Sequence, residues 1–259
     1  MDEAVSEKTF AGLRRFNLIM AFFHLAQSVF MIVVSNDTVY PIYTNFLKFD
    51  VGALSVAPDP RLVYELRFGP AVAVFLLLSA IAHLYLSTVG YSWYVRNLKR
   101  GMNPARFYEY ALSSSWMIVL IGMLVGIWDL ASLILMFGLN AMMNLFGIMM
   151  ELHNQNTEAI NWTSFIFGTI AGIIPWIVII LHFFGSISAS AAEPPAFVYA
   201  IIPTIFVFFN IFAVNMFLQY KKVGRWRDYL FGERMFIVLS LLAKSALAWQ
   251  IWFGTLRPT

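Results

Sequence analysis

Lys244 stands in the middle of a long apolar run, the only lysine of the chain to do so. A charged side chain at the centre of a membrane helix costs about 2.5 to 3.5 kcal/mol to insert, so such a residue needs a partner or a task. Two readings fit. Lys244 can form a structural pair with a carboxylate on a neighbouring helix. Alternatively its amine, shielded from water and so easier to deprotonate, can condense with an aldehyde to give an imine. The protonated imine would be a fixed buried cation that needs a carboxylate nearby to keep its proton. Glu109 is read as the only carboxylate well inside a helix, and is the candidate. Ser240 lies one turn before Lys244 and Ser113 one turn beyond Glu109, each on the same helical face as its ion. Either hydroxyl can reach that ion or bond back to the carbonyl four residues earlier. Ser114 and Ser115 leave the same choice open. His24 and His83 fall near the middle of two other apolar runs. They suggest a small polar cavity able to hold water or accept a proton, or else two separately hydrogen-bonded neutral imidazoles. No metal set is expected, because the four histidines are dispersed and no carboxylate completes them.

These residues can meet only if long apolar helices carry them. Of the 259 residues 60% are hydrophobic and 12% charged, and mean hydropathy is +0.74, whereas a soluble domain carries about 25% charged residues. Apolar runs cover 18–34, 69–89, 107–127, 130–150, 162–184, 196–218 and 229–256. Each is long enough to cross about 30 Å of hydrocarbon as a helix. The expected fold is therefore an all-α, rhodopsin-like bundle of seven membrane helices, a single domain over 1–259, with the termini on opposite sides. A cleavable signal is not expected, since the first nine residues are polar and acidic and the first run is too long for a signal core. The first helix then acts as its own anchor. The longest connection, 35–68, alternates apolar and turn-forming residues and predicts a short two-stranded hairpin lying on the bundle, with an irregular loop as the alternative. Asn103 and Pro104 form a helix-start signal for the third crossing.

Lys and Arg in the connections set the orientation. Twelve fall on one side (Lys8, Arg14, Arg15, Arg96 to Arg106, Lys221 to Arg234) and four on the other (Lys48, Arg61, Arg67, Arg257). The N-terminus is expected in the cytoplasm and the C-terminus and hairpin outside. The basic pI of 9.1 is thus a topology signal and not one for nucleic acid. No cysteine is present, which removes disulfides, thiolate metal sites and cysteine nucleophiles. Charge flanks alone do not align the two central residues. Glu109 is three residues past Arg106 and Lys244 ten past Arg234, a difference in depth of about 10 Å at 1.5 Å per residue.

Aromatic residues make up 17% of the chain, and Trp116, Trp176, Phe206 and Trp249 sit within the runs. Such rings commonly fill space. Trp176, after Pro175, and Phe206, near Phe208 and Phe209, could equally wall a long polyene aldehyde such as retinal. At this point the stretches FYEYALSSSWMIVLI, IAGIIPW, PAFVYAII and GERMFIVLSLLAKSALAWQIW, with weaker FHLAQ and LSAIAH, are together similar to the heliorhodopsins over nearly the whole chain. The resemblance departs at Phe107, where some relatives carry tryptophan. It implies all-trans retinal as a protonated Schiff base on Lys244 with Glu109 as counterion. It also places Ser240, Ser79 and Ser114 near that group, and His24 and His83 along a polar cavity. It further implies homodimers, a cytoplasmic N-terminus, and a slow photocycle used for sensing. The basic clusters Arg96 to Arg106 and Lys221 to Arg227 make the cytoplasmic loops the expected surface for an unknown signalling partner. The residues agree with a sensor in one respect: past Glu109 the third run holds no acid until Asp129, about 30 Å away at 1.5 Å per residue. A light-driven proton transporter or channel, and a non-retinal transporter or intramembrane enzyme, are the alternatives.

Overall fold

The computed structural model describes residues 3–190 and 196–258; Pro195, which opens the PAFVYAII stretch, lies outside them. Among the described residues the chain forms α1 (Glu3–Val34), a hairpin of β1 (Val39–Asp50) and β2 (Ser55–Arg67), α2 (Phe68–Ser87), α3 (Tyr91–Lys99), α4 (Pro104–Leu124), α5 (Leu130–His153), α6 (Thr163–Ala189), α7 (Ala196–Tyr220) and α8 (Tyr229–Ile251). All but α3 are long and apolar enough to span a membrane, giving seven crossings. The helix starts are chemically defined. Asn103 accepts from the Arg106 N–H, with Pro104 at the first helical position, and Asp129 and Asp228 cap α5 and α8 in the same way.

Two elements differ from expectation. The stretch between the second and third crossings is not a plain connection, because α3 buries Tyr94 and Leu98 against Leu13, Leu86 and Leu230. The hairpin does form, but it is long, and only its base rests on the bundle. Tyr40 packs on Phe68 and the Tyr43 N–H donates to the Trp128 carbonyl, while Phe46, Leu47, Phe49 and Leu54 beyond the base are exposed. A register shift between Ile42 and Tyr43 marks the boundary.

Inside the bundle the two ends differ. Toward the hairpin the buried side chains of α2, α4 and α8 form one apolar cluster that includes Val72, Phe75, Leu76, Ile118, Ile121, Leu247 and Ile251. In lipid such a cluster is held by close packing and not by exclusion of water. Close packing is demanding at Gly147 on α5, where an added Cβ would stand 2.2 Å from the Phe107 ring of α4. Gly138 on the same helix faces open space. Gly147→Ala should therefore destabilise the bundle by about 1 to 3 kcal/mol through overpacking, while Gly138→Ala is neutral or slightly stabilising. Thermal unfolding of the two variants in detergent checks this; equal melting behaviour would contradict it.

Candidate functional site

Lys244 and Glu109 do meet. The Lys244 Nζ is 2.7 Å from Glu109 Oε1, and the two side chains are only 4% and 10% exposed. Ser240, one turn earlier on α8, accepts from Nζ at 3.2 Å. Ser79 of α2 donates to the same Glu109 oxygen at 2.7 Å. Ser113 Oγ lies beside Glu109 but does not reach hydrogen-bond geometry, and it has no other partner among the described residues. The Tyr110 ring lies 5.1 Å from Nζ and closes the pair on one side.

The depth mismatch expected from flanking charges has a simple source: Arg106 is not a flank. Its side chain is 3% exposed and is bound by two carboxylates, Glu233 through Nη1 and Glu151 through Nη2, each at 2.6 Å. Glu109 is thus not the only carboxylate buried in a bundle helix, and the expectation that it would be is overturned. Every oxygen of the two acids has a donor. Glu233 also receives Asn103 Nδ2 at 2.6 Å and the Tyr94 hydroxyl at 3.0 Å. Glu151 receives the Asn103 N–H at 2.8 Å and the Tyr229 hydroxyl at 3.2 Å. Burial, and then the neighbouring Glu233 charge, push the Tyr94 hydroxyl well above the usual phenol range, so it stays protonated and donates. Phe236 and Phe107 pack on the guanidinium at 3.7 and 4.6 Å. In sequence Glu151 and Glu233 look like boundary charges, beside His153 and Arg234. The capping Asn103 was the available clue, since a cap closes on its own helix and leaves its amide for a carboxylate. Removing Arg106 from the topological count leaves eleven against four.

A small cavity joins the two charged groups, lined by Asn17, His83, Glu109, Asn103, Arg106 and Glu233. Asn17 donates its amide to the Leu13 carbonyl, which turns Oδ1 toward His83 Nδ1 at 2.7 Å. That ring nitrogen therefore carries the proton. His24 stacks on His83 with centroids 5.5 Å apart and planes within 8°. Both its ring nitrogens are buried without a hydrogen bond among the described residues. The histidines thus form one stacked unit rather than two separately bonded rings, with His83 on the cavity.

On the other side of Nζ lies a second, mostly apolar cavity of about 400 Å³ including its mouth, lined by Tyr110, Met117, Met143, Phe209, Phe212 and Ala243 among others. It continues between α6 and α7 past Gly168 and Gly172. At Gly172 a Cβ would stand 2.2 Å from Met143 Sδ. Trp176 and Phe206 do come together, edge to face at 5.1 Å, and Trp176 also meets Phe209 at 5.4 Å. They stand behind Phe209 and do not themselves line the cavity. Ser114 lines it, but its hydroxyl is engaged by Asn140 at 2.8 Å and Asn144 at 3.1 Å from α5. Those two asparagines were not singled out from the sequence, where an amide in an apolar run carries no spacing signal. An elongated apolar slot with an amine at its head and polar groups at that head suits a long aldehyde.

The model of the family described as Heliorhodopsin matches residues 13–256. No curated protein matches the chain.

The Arg106 cluster is open to a direct test. Arg106→Gln leaves two buried carboxylates without their cation and should cost about 3 to 5 kcal/mol of stability. The triple variant Arg106→Met, Glu151→Leu, Glu233→Leu should recover most of that loss. Both are read by thermal unfolding in detergent, and a triple variant no more stable than Arg106→Gln would contradict the assignment.

Proposed function

The chain belongs to the heliorhodopsin family, a family of retinal-binding, light-sensing membrane proteins, and from that premise we propose that Lys244 carries all-trans retinal as a protonated Schiff base with Glu109 as its counterion. The observation that carries this reading is the placement of Lys244 Nζ, 2.7 Å from a buried carboxylate and at the head of an apolar slot. Retinal, when bound, supplies a light-driven double-bond isomerisation that displaces the positive charge at Nζ. The remaining work belongs to the chain. Glu109 holds that charge, Ser79 fixes the accepting oxygen, and Ser240 orients Nζ. Met117, Met143, Phe209 and Phe212 exclude water from the slot. His83, with His24 stacked on it, lines the same cavity as Glu109 and is the group to take a proton that leaves Nζ by way of Glu109.

The reading extends to sensing without net ion transport. Vectorial transfer needs proton-active groups on both sides of the lysine. Here His83, Arg106, Glu233 and Glu151 follow Glu109 toward the end that carries α3, whereas the hairpin side is the apolar cluster. Both further acids are held by Arg106. A proton released into this cavity returns by the same route. The charge bias, even without Arg106, supports a cytoplasmic α3 end, where a signalling partner would read the state, and an external hairpin. The exposed apolar half of that hairpin suits contact with a second copy in a homodimer.

Three measurements check these points. Membranes containing the chain should colour on addition of all-trans retinal, and Lys244→Ala should abolish the colour; undiminished colour would refute the attachment site. Glu109→Gln should lose or shift the visible band at neutral pH, and an unchanged spectrum would refute the counterion. Illuminated cell suspensions should show no protonophore-sensitive pH change and voltage-clamped cells no sustained photocurrent; either signal would establish transport instead.

A further inference from the structure

At the α3 end of the bundle an open cleft lies among the α3–α4 turn, the α5–α6 connection and the α7–α8 connection, enclosing about 1150 Å³ including its mouth. Four cations line it: Arg100, Lys221, Lys222 and Arg227. Among the described residues none of the four makes an ion pair with a carboxylate. Lys221 instead rests over the Trp162 ring at 5.3 Å. Lys222 ends α7 in the left-handed conformation, φ +53°. There Lys222 N–H returns to the Gln219 carbonyl and Val223 N–H to the Leu218 carbonyl. Glycine is the ordinary residue at that position of this helix end. A lysine held there against the backbone preference points to a use for its side chain.

The walls add Trp226 and Tyr229. Trp226 is fixed by its indole bond to Asn215 Oδ1 at 2.6 Å. Glu151 forms part of the floor, but its charge is already taken by Arg106, the Asn103 N–H and the Tyr229 hydroxyl. Glu158 is the other carboxylate of the lining and makes no ion pair among the described residues. Topology explains an excess of basic residues at one end of a membrane protein. It does not explain four uncompensated cations facing one concavity with a fixed indole in its wall. A cluster of this kind favours an anion of several charges whose oxygens can be shared among guanidinium and ammonium donors.

We propose that this cleft is a binding site for a multiply charged, phosphate-bearing anion, supplied either from solution or as the headgroup of an anionic lipid. Its occupant would sit against Tyr229 and Glu151, and so next to the ion cluster that joins α3, α4, α5 and α8. The proposal does not depend on the retinal reading, and its test uses the chain without added retinal.

The test is equilibrium dialysis of radiolabelled ATP against the full chain in phosphatidylcholine nanodiscs at fixed ionic strength. The wild type is compared with Arg100→Gln/Arg227→Gln and with Lys8→Gln/Arg96→Gln, which removes equal charge from exposed positions outside the cleft. Saturable binding of one ATP per chain, weakened at least about tenfold by the cleft pair and little by the other pair, is expected for a soluble ligand. If ATP does not bind, nanodiscs containing phosphatidic acid should raise the melting temperature of the wild type and not of the cleft pair, which identifies a lipid headgroup as the source. Absence of both effects, or equal weakening by both pairs, would overturn the proposal.

Discussion

Charge buried in hydrocarbon must be neutralised where it lies, and the interior of this chain is organised around two solutions to that constraint. Lys244 and Glu109 form a one-to-one pair with a serine on each member. Arg106, Glu151 and Glu233 form a cluster with one cation for two acids, closed by Asn103, Tyr94 and Tyr229. The two differ in what they can do. Every carboxylate oxygen of the cluster is hydrogen-bonded, and the cluster anchors four helices at one end of the bundle. The pair is small, and its lysine faces an apolar slot, so its cation can change identity or position without unravelling the helix ends.

This division places all the adaptable chemistry between the lysine and the α3 end. The cavity from Glu109 to Glu233, with His83 in its wall, is a short polar compartment stopped by an arginine. Toward the hairpin the interior is instead one packed apolar cluster. A displaced charge at Lys244 can therefore alter the field at Arg106, and with it the packing of α3, α4, α5 and α8, without a continuous path from one face to the other.

Much of this was legible in the sequence because lipid makes its demands in plain patterns. Seven apolar runs gave the seven crossings, Asn103 and Pro104 gave the start of α4, and the isolation of Lys244 and Glu109 in apolar surroundings pointed to both members of the pair. The failures share one cause. Arg106, Glu151 and Glu233 sit within a turn or two of helix ends, where a charge that snorkels to water and a charge that is buried look alike. Only the folded arrangement, which brings α3 over that end, tells them apart. The α3 helix itself was missed because it is short and polar overall, and its buried face shows only against α1, α2 and α8. Asn17, Asn140 and Asn144 were missed for the opposite reason: a single amide in an apolar helix has many uses and no characteristic spacing.

The chemistry of one nitrogen, Lys244 Nζ, decides what this bundle does. Retinal added to membranes containing the chain, trapped by borohydride reduction and followed by proteolysis and mass spectrometry, reports which lysine it joined. A retinyl mass on the peptide that contains Lys244, and on no other, is the predicted result. No adduct, or an adduct on one of the lysines outside the bundle, would contradict the account.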